Sequence, residues 1–589
     1  MPENPWSAPS RAVSLAQRVP WWLAVLLGSA VVLVGSLLAV RPFASLGALV
    51  VLISIGLLVT GIAELGAWTL GDGSRLQLLT GLLWITGGVV LLVVPALTIA
   101  ALVLVVGLQS IISGLVRIRS AIRGQSHGVG TANAAMLGVS GVIIGILALT
   151  WPDVTVYVIA VVFGVRMLLF GAAQVIAALR QRRRATGERD EPVLPRHRSP
   201  VVGVLVLLTT LALVVMSAKL SATAQPDDFY IAPATVPSAP GALLRQEPFT
   251  ADIPSGAQGW RILYTTTRDE GLPAVASAIV IVPEGGAVHP VIAWAHGTTG
   301  LLEGCAPSLL DHPFIAGAMP NLNQALAAGW AIVATDYVGL GTEGPHPYLI
   351  GQGEGRSVLD AVRAAHQLDR TRLGTQTVIW GHSQGGHAAL WAGGLAQDYA
   401  PELDVVGVAA MAPAANLPGL LASIADSRIG ALFGAYVIAS YSAHFGDVRV
   451  GDYVRPGGRI IIEEMSRRCL VDPAMAVSLV SALASDQPLW VGDPNRGALA
   501  VRAEQNVPRL PIEAPLLLAQ GEADTLVLPS AQQVYVHDLC RAGQAVDHRN
   551  YPGKDHMGLV TGDSALLPEL ITWTADRFAG RPGANSCPD

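Results

Sequence analysis

The sequence predicts two parts of different class: an all-α polytopic membrane domain at the N-terminal end, then an α/β domain. Three observations carry this. Of 589 residues, 51% are hydrophobic and only 14% charged, outside the soluble range, and almost all of the excess lies before residue 220. Apolar runs of about twenty residues recur in that region, each near the length that crosses the hydrocarbon as a helix. After residue 245, short β-branched runs alternate with helical segments, the pattern of a mainly parallel sheet covered on both faces. A chain of this length is expected to form two or more units.

In the first part, spans are expected at about 21–40, 44–63, 76–94, 97–116, 134–151, 154–179 and 201–218. The first six form three helical hairpins. Pro42, Pro95 and Pro152 each sit between two spans, preceded by Gly35, Gly88 and Gly145 at one spacing. Ser54, Gly107 and Gly164 follow at a second spacing, and Gly61, Gly114 and Gly171 at a third. Small residues at such positions let helix backbones approach closely. The same repeat places Glu64, Arg117 and Gln174 at equivalent positions. Polar groups there are either functional or snorkel to water at the cytoplasmic helix ends, and the nearby basic loops favour snorkelling.

Arginine placement gives the topology. Arg11 and Arg18 precede the first span, Arg117, Arg119 and Arg123 follow the fourth, and Arg180, Arg182, Arg183, Arg184, Arg189, Arg196 and Arg198 lie between the sixth and seventh. Arg41 alone is on the other side. The expectation is a multi-pass plasma-membrane protein with a cytoplasmic tail (1–20), a six-helix domain (21–185), a basic cytoplasmic loop (186–200) and a seventh helix that carries the rest outside. That helix also reads as an internal signal sequence, because Ala222-Thr223-Ala224 before Gln225 has the form of a cleavage site; retention as an anchor is the preferred reading. The glycine-flanked triple hairpin resembles the HdeD-type, short-repeat family of bacterial membrane proteins, linked to acid resistance.

The net charge of −6, with no basic patch interleaved with aromatics, argues against nucleic acid as a partner. Cys305, Cys469, Cys540 and Cys587 all follow residue 300. An even count in an exported domain points to disulfides, in any of three pairings. The spacing suits no Cys-based metal site.

Beyond a Pro/Ala-rich linker (225–245), strands are expected at 261–266, 276–282, 291–295, 331–336, 377–381, 405–410, 515–520 and 548–551, with helices at 357–368, 388–396, 530–540 and 565–578. The order suits an α/β-hydrolase over 246–589, with active-site groups at strand ends. Between about 414 and 510 the alternation fails, and a helical cap insertion is expected there.

Within the α/β-hydrolase part, Val378-Ile379-Trp380-Gly381-His382-Ser383-Gln384-Gly385-Gly386-His387 is a β-branched run that ends in Gly-x-Ser-x-Gly and passes at once into a helix. That is a nucleophile elbow, a tight turn that lifts one serine out of the sheet edge. Ser383 is the candidate nucleophile and the Gln384 N–H one donor to an oxyanion. In the chain order Ser, Asp/Glu, His, Leu516–Gln520 leads to Asp524, and a loop after the last strand carries His556. His556 would act as general base and Asp524 would fix its tautomer. Glu522 is the rival acid, whereas Asp555 is a poor one because adjacent side chains diverge. The second oxyanion donor is expected in His296-Gly297-Thr298-Thr299-Gly300, from Thr298 or Thr299. His296, His382 and His387 are expected to pack and hydrogen-bond locally, and Asp336-Tyr337 and Gly344–Tyr348 to shape loops beside the site.

Residues 245–580 resemble the secretory lipase (lipase A-like) family. The resemblance rests on His296–Gly300 with Cys305-Ala306-Pro307-Ser308, on Thr335–Thr342, on Gly344-Pro345-His346-Pro347-Tyr348, on Gly355–Asp360 and on the elbow. It implies a Ser–Asp–His esterase or lipase acting on acyl esters or lipids beneath a cap, without metal or cofactor. It also implies Cys305–Cys469 and Cys540–Cys587 links. The chain departs at Gly300, where some members carry an aspartate, and in its fusion to a membrane part. Two other readings stand beside hydrolysis: an acyltransferase using the same triad, and a membrane acid-stress or transport protein with an accessory hydrolase domain.

Overall fold

The computed structural model describes residues 21–40, 75–93, 95–123, 129–155, 201–220 and 223–588, the last without 269–270, 370, 428–429 and 484–487, and scattered positions within 54–65 and 158–179. The expected tail 1–20, the loop 186–200, Glu64, Ala222, most of the span at 44–63 and part of the span at 154–179 lie outside the described residues. The chain divides into two compact units, residues 1–218 with 484–488 and residues 219–483 with 489–589.

In the first unit, helices α1 (Trp21–Val40), α2 (Arg75–Val93), α3 (Pro95–Ile122), α4 (Val129–Thr150) and α5 (Val201–Leu220) are described. Three stretches, Val103–Ile122, Thr131–Thr150 and Gly203–Leu220, are long and apolar enough to cross a membrane among the described residues. Pro95 opens α3, where its missing N–H is no loss. The repeat glycines form the contacts between helices. A Cβ on Gly114 would stand 2.6 Å from the Gly138 carbonyl, one on Gly107 2.6 Å from a Leu149 methyl, and one on Gly171 2.7 Å from the Gly28 carbonyl. A Cβ on Gly61 would likewise meet the Gly81 carbonyl at 2.7 Å. The second helix of each hairpin therefore packs on the first helix of the next, and Gly171 against Gly28 returns the third repeat to the first. α5 lies along α4. Gly203 abuts Asn133 and Met136, and Trp151 Nε1 donates to Ser217 Oγ at 2.8 Å. Arg117 and Gln174 are exposed.

The second unit is built on a nine-stranded sheet: β1 (Leu243–Phe249), β2 (Ala257–Thr267), β3 (Pro273–Pro283), β4 (His289–Ala295), β5 (Ala331–Thr335), β6 (Leu373–His382), β7 (Asp404–Met411), β8 (Leu516–Gly521) and β9 (Val546–Tyr551). Their order is β1-β2-β3-β5-β4-β6-β7-β8-β9, antiparallel as far as β5 and parallel from there. This is the α/β-hydrolase architecture. Strand β1 departs from the expectation, which runs the linker to 245 and starts the strands at 261. The central strands are continuous apolar runs because both faces are covered. Trp294 and Trp380 face each other in register across β4 and β6, both fully buried, and the Trp380 indole N–H donates to Thr574 at 3.0 Å.

Helix α6 (Gly351–Ala365) follows β5, α7 (Gln384–Tyr399) follows β6, α13 (Pro529–Arg541) follows β8 and α14 (Leu566–Phe578) follows β9. Between β7 and β8 lie α8 (Leu417–Asp426), α9 (Gly430–His444), α10 (Pro456–Ser466), α11 (Pro473–Leu483) and α12 (Gly497–Gln505). Disulfides join Cys305 to Cys469 and Cys540 to Cys587. The first ties the segment after β4 to this helical insertion; both of its cysteines are fully buried.

Candidate active site

The strand order reverses about β4: β5 lies on one side and β6 on the other, all three parallel. In such sheets the crevice beyond the strand ends at the reversal is where ligands bind. Ser383 stands there, directly after β6, with φ 58° and ψ −118°, a left-handed conformation strained for a residue with a side chain. Two glycines make the turn possible. A Cβ on Gly381 would lie 1.9 Å from the Gly385 carbonyl oxygen, and one on Gly385 1.9 Å from the carbonyl oxygen of Ala295, the last residue of β4. The start of α7 is thus pressed against the loop that leaves β4.

Asp524 and His556 follow β8 and β9 on the same sheet edge. His556 Nε2 is 2.8 Å from Ser383 Oγ, and its Nδ1 is 2.7 Å from Asp524 Oδ2. Asp524 is buried. Its Oδ1 accepts from the N–H groups of Leu526 (2.8 Å) and Val527 (2.9 Å), and Gln520 Nε2 donates to Oδ2 at 3.3 Å. The carboxylate therefore has one orientation. Glu522 is exposed and Asp555 caps the Gly558 N–H at 2.7 Å, so neither faces the His556 ring.

His382 underlies His556, ring centroids 4.8 Å apart, and its Nε2–H donates to the His556 carbonyl at 3.0 Å. Burial and the neighbouring imidazole push the His382 pKa down to about 3. Burial likewise lowers His296 to about 4, and its ring nitrogens face the carbonyls of Gly297 and Asp336. Both stay neutral supports of the site.

The oxyanion-loop candidates are held in place by the Gly344–Tyr348 segment, expected to shape a loop beside the site, and by residues such as Glu354 and Leu470 that the sequence did not single out. Thr298 Oγ1 is 2.9 Å from the Tyr348 hydroxyl. The Thr299 carbonyl accepts from the N–H of Leu470 at 2.7 Å, while its buried hydroxyl has no protein partner. Gln384 Nε2 donates to His346 Nε2 (2.9 Å) and to Glu354 Oε1 (2.7 Å). His346 Nδ1–H donates to Val338 O at 3.0 Å, which leaves Nε2 as the acceptor; burial lowers this ring's pKa to about 3. Glu354, fully buried, also accepts from the Leu349 N–H and meets His387 Nδ1 at 2.9 Å. The Tyr337 hydroxyl donates to the His296 carbonyl at 3.0 Å. Asp336 turns away from the site and accepts from Ser277 and Ser308; burial raises it to about 6. At Gly300, with φ +146°, a Cβ would lie 2.4 Å from Cys305 Sγ. The disulfide occupies the space that a side chain at 300 would need.

A nucleophile, a base and an oriented carboxylate, with a glycine-flanked loop beside the nucleophile, are the parts of covalent acyl transfer.

Comparison with known proteins agrees with the fold. Residues 315–586 match the family model of secretory lipases, and residues 26–93, 79–133 and 136–190 each match a short repeat of unknown function. A protein named probable inactive lipase from Mycobacterium tuberculosis is 27% identical over 380 residues, covering 60% of this chain and 82% of the relative. A secreted triacylglycerol lipase of Malassezia globosa is 27% identical over 386 residues, covering 61% and 81%. Lipase A of Candida antarctica in its closed state shares the fold with a TM-score of 0.51 at 22% identity, over 60% of this chain and 86% of that one.

Proposed function

We propose that this chain, a secretory lipase domain joined to short membrane repeats, is a membrane-anchored, extracytoplasmic serine carboxylester hydrolase. The observation that carries the reading is His556, whose two ring nitrogens stand 2.8 Å from Ser383 Oγ and 2.7 Å from Asp524 Oδ2. His556 Nε2 takes the serine proton as Oγ attacks the ester carbonyl carbon. The N–H of Gln384 and one from Thr298 or Thr299 receive the oxyanion. Collapse of the tetrahedral intermediate breaks the ester C–O bond, and His556 returns the proton to the departing alkoxide. Water, deprotonated by the same ring, then frees the acid and regenerates Ser383. Acyl esters, lipids among them, are the substrate class.

Retention on the membrane is supported at the candidate cleavage point. Thr223 Oγ1 donates to Asp472 Oδ2 at 2.9 Å, and the Ala224 carbonyl lies against Gly304, so the segment that a peptidase would need to draw out is docked on the domain.

One relative bears the name of an inactive lipase, so activity must be measured on this protein. The test is fluorophosphonate labelling of the full chain in membranes beside its Ser383→Ala variant. Labelling at Ser383 that is lost in the variant, with ester turnover lost in parallel, supports the reading. A folded protein that neither labels nor turns over esters refutes it.

A further inference from the structure

We propose that the outward face of α11 is a lipid-docking surface that seats the helical insertion on the bilayer into which the chain's own apolar helices are threaded. The proposal does not depend on the esterase reading.

Helix α11 has its polarity reversed. Its sequence, PAMAVSLVSAL, contains no charged residue. Both of its serines are buried, and the Arg468 guanidinium donates to Ser478 Oγ. The outward positions hold aliphatic side chains instead: Val480 is 64% exposed and Leu483 42%, with Val471, just before the helix, at 47%. Ala476, Val480 and Leu483 fall at i, i+4 and i+7 and share one face. A helix on a water-facing surface carries its polar residues outward. This one points serines at the protein and valine and leucine away from it.

A tether says what covers that face. Asp472, the residue before α11, accepts through one oxygen from Thr223 Oγ1 at 2.9 Å and from the Cys469 N–H at 3.1 Å. Thr223 stands three residues after Leu220, where the apolar helix α5 ends, and three residues reach at most about 11 Å. The point where the chain leaves a membrane-crossing helix is thus bound to the beginning of α11. An outward aliphatic face at that place meets the acyl–headgroup boundary. Charge lies beside it. Arg467, which lines the same groove as Thr223, and Lys219 at the end of α5 are exposed cations; of the nearby carboxylates, Asp472 is buried and engaged and Glu303 is exposed on that groove. Exposed cations beside an aliphatic patch complement anionic headgroups.

The test places a diazirine-bearing amino acid at Val480, or at Val534 (55% exposed and outside the patch), in the full-length protein. The protein is reconstituted in vesicles of phosphatidylethanolamine and phosphatidylglycerol and irradiated. An unchanged melting temperature verifies that each variant is folded. The expected result is covalent phospholipid adducts at position 480, several-fold above those at 534. Adducts to protein at 480, whether to the same chain or to a second copy, would overturn the proposal. So would phospholipid labelling no greater than at 534.

Discussion

The Tyr348 hydroxyl lies 2.9 Å from the Thr298 hydroxyl, and two residues earlier in the same loop His346 Nε2 accepts from the Gln384 side chain at 2.9 Å. One segment, Gly344–Tyr348, thus grips both sides of the proposed oxyanion hole. An oxyanion hole works because its donors are aimed before the charge develops. Losing one neutral hydrogen bond that sets the aim costs about 1–1.5 kcal/mol, or roughly tenfold in rate. Tyr348→Phe is therefore expected to lower kcat by about tenfold with little change in KM. Thr298→Val should do the same, and the double variant should be no worse than either alone. Additive losses would mean that the two hydroxyls act separately.

Asp524→Asn tests the orientation of His556. The asparagine keeps the shape but offers an NH₂ group to the ring nitrogen that now donates, and the imidazole adopts the wrong tautomer. A loss of about 10³–10⁴ in kcat is expected, with the fold intact. Glu522→Gln, at an exposed position that does not reach His556, should leave turnover within about twofold. Steady-state kinetics on one soluble ester decides both.

How much of this was legible in the sequence depends on how local each signal was. The elbow was readable because Gly381 and Gly385 mark a turn within five residues, and the Ser383, Asp524, His556 order needs only strand ends on one edge. The class of both parts was readable because period and composition are repeated many times. Strand β1 was not: Leu-Leu-Arg-Gln-Glu-Pro-Phe has a proline and three polar residues, and it becomes a strand only by pairing with β2 at the sheet edge. Of the supports of the site, His346 and Tyr348 fall in Gly344–Tyr348, a segment expected to shape a loop beside it, but their partners were not legible, and Glu354 was not singled out. They act through contacts with residues 30 to 50 positions away, which no local pattern encodes. The repeat held one further signal. Gly28, Gly81 and Gly138 sit at one fixed spacing before Pro42, Pro95 and Pro152, and each meets a glycine of another hairpin.

The Cys305–Cys469 disulfide closes 164 residues and ties the oxyanion-loop side of the core to the helical insertion. By chain entropy such a loop contributes about 4–5 kcal/mol. The double variant Cys305→Ala, Cys469→Ala should show a large fall in melting temperature together with a fall in kcat, since the Thr299 carbonyl is held by the N–H of Leu470 next to the bridge. The Cys540–Cys587 bridge lies near the C terminus and is half-buried. Its removal should lower the melting temperature and spare kcat. Calorimetry and kinetics on the two double variants separate the cases.

Acid should destabilise the hydrolase domain, and the buried histidines set the window. His296, His346 and His382 are neutral in the fold, with pKa values pushed by burial to about 4, 3 and 3, whereas in the unfolded chain they titrate near 6.5. Between those limits the unfolded chain binds more protons, so stability falls as pH falls from about 6.5 toward 4. His366, His444 and His548 are shifted in the same direction. Asp336 and Asp360 oppose them. Burial raises both, Asp336 to about 6, so between the raised and the ordinary values the folded state holds the extra proton, and acidification through that interval favours the fold. Histidines lowered by burial outnumber the carboxyls raised by it, so unfolding near pH 5 takes up protons on balance. Urea unfolding of the domain across pH 7.5 to 4.5 should give a stability slope of that sign. His346→Gln should reduce the slope by about one proton, because its side chain no longer titrates, while Asp336→Asn should steepen it by about the same amount. A stability profile flat between pH 7 and 5 would mean that these rings are not held neutral in the fold.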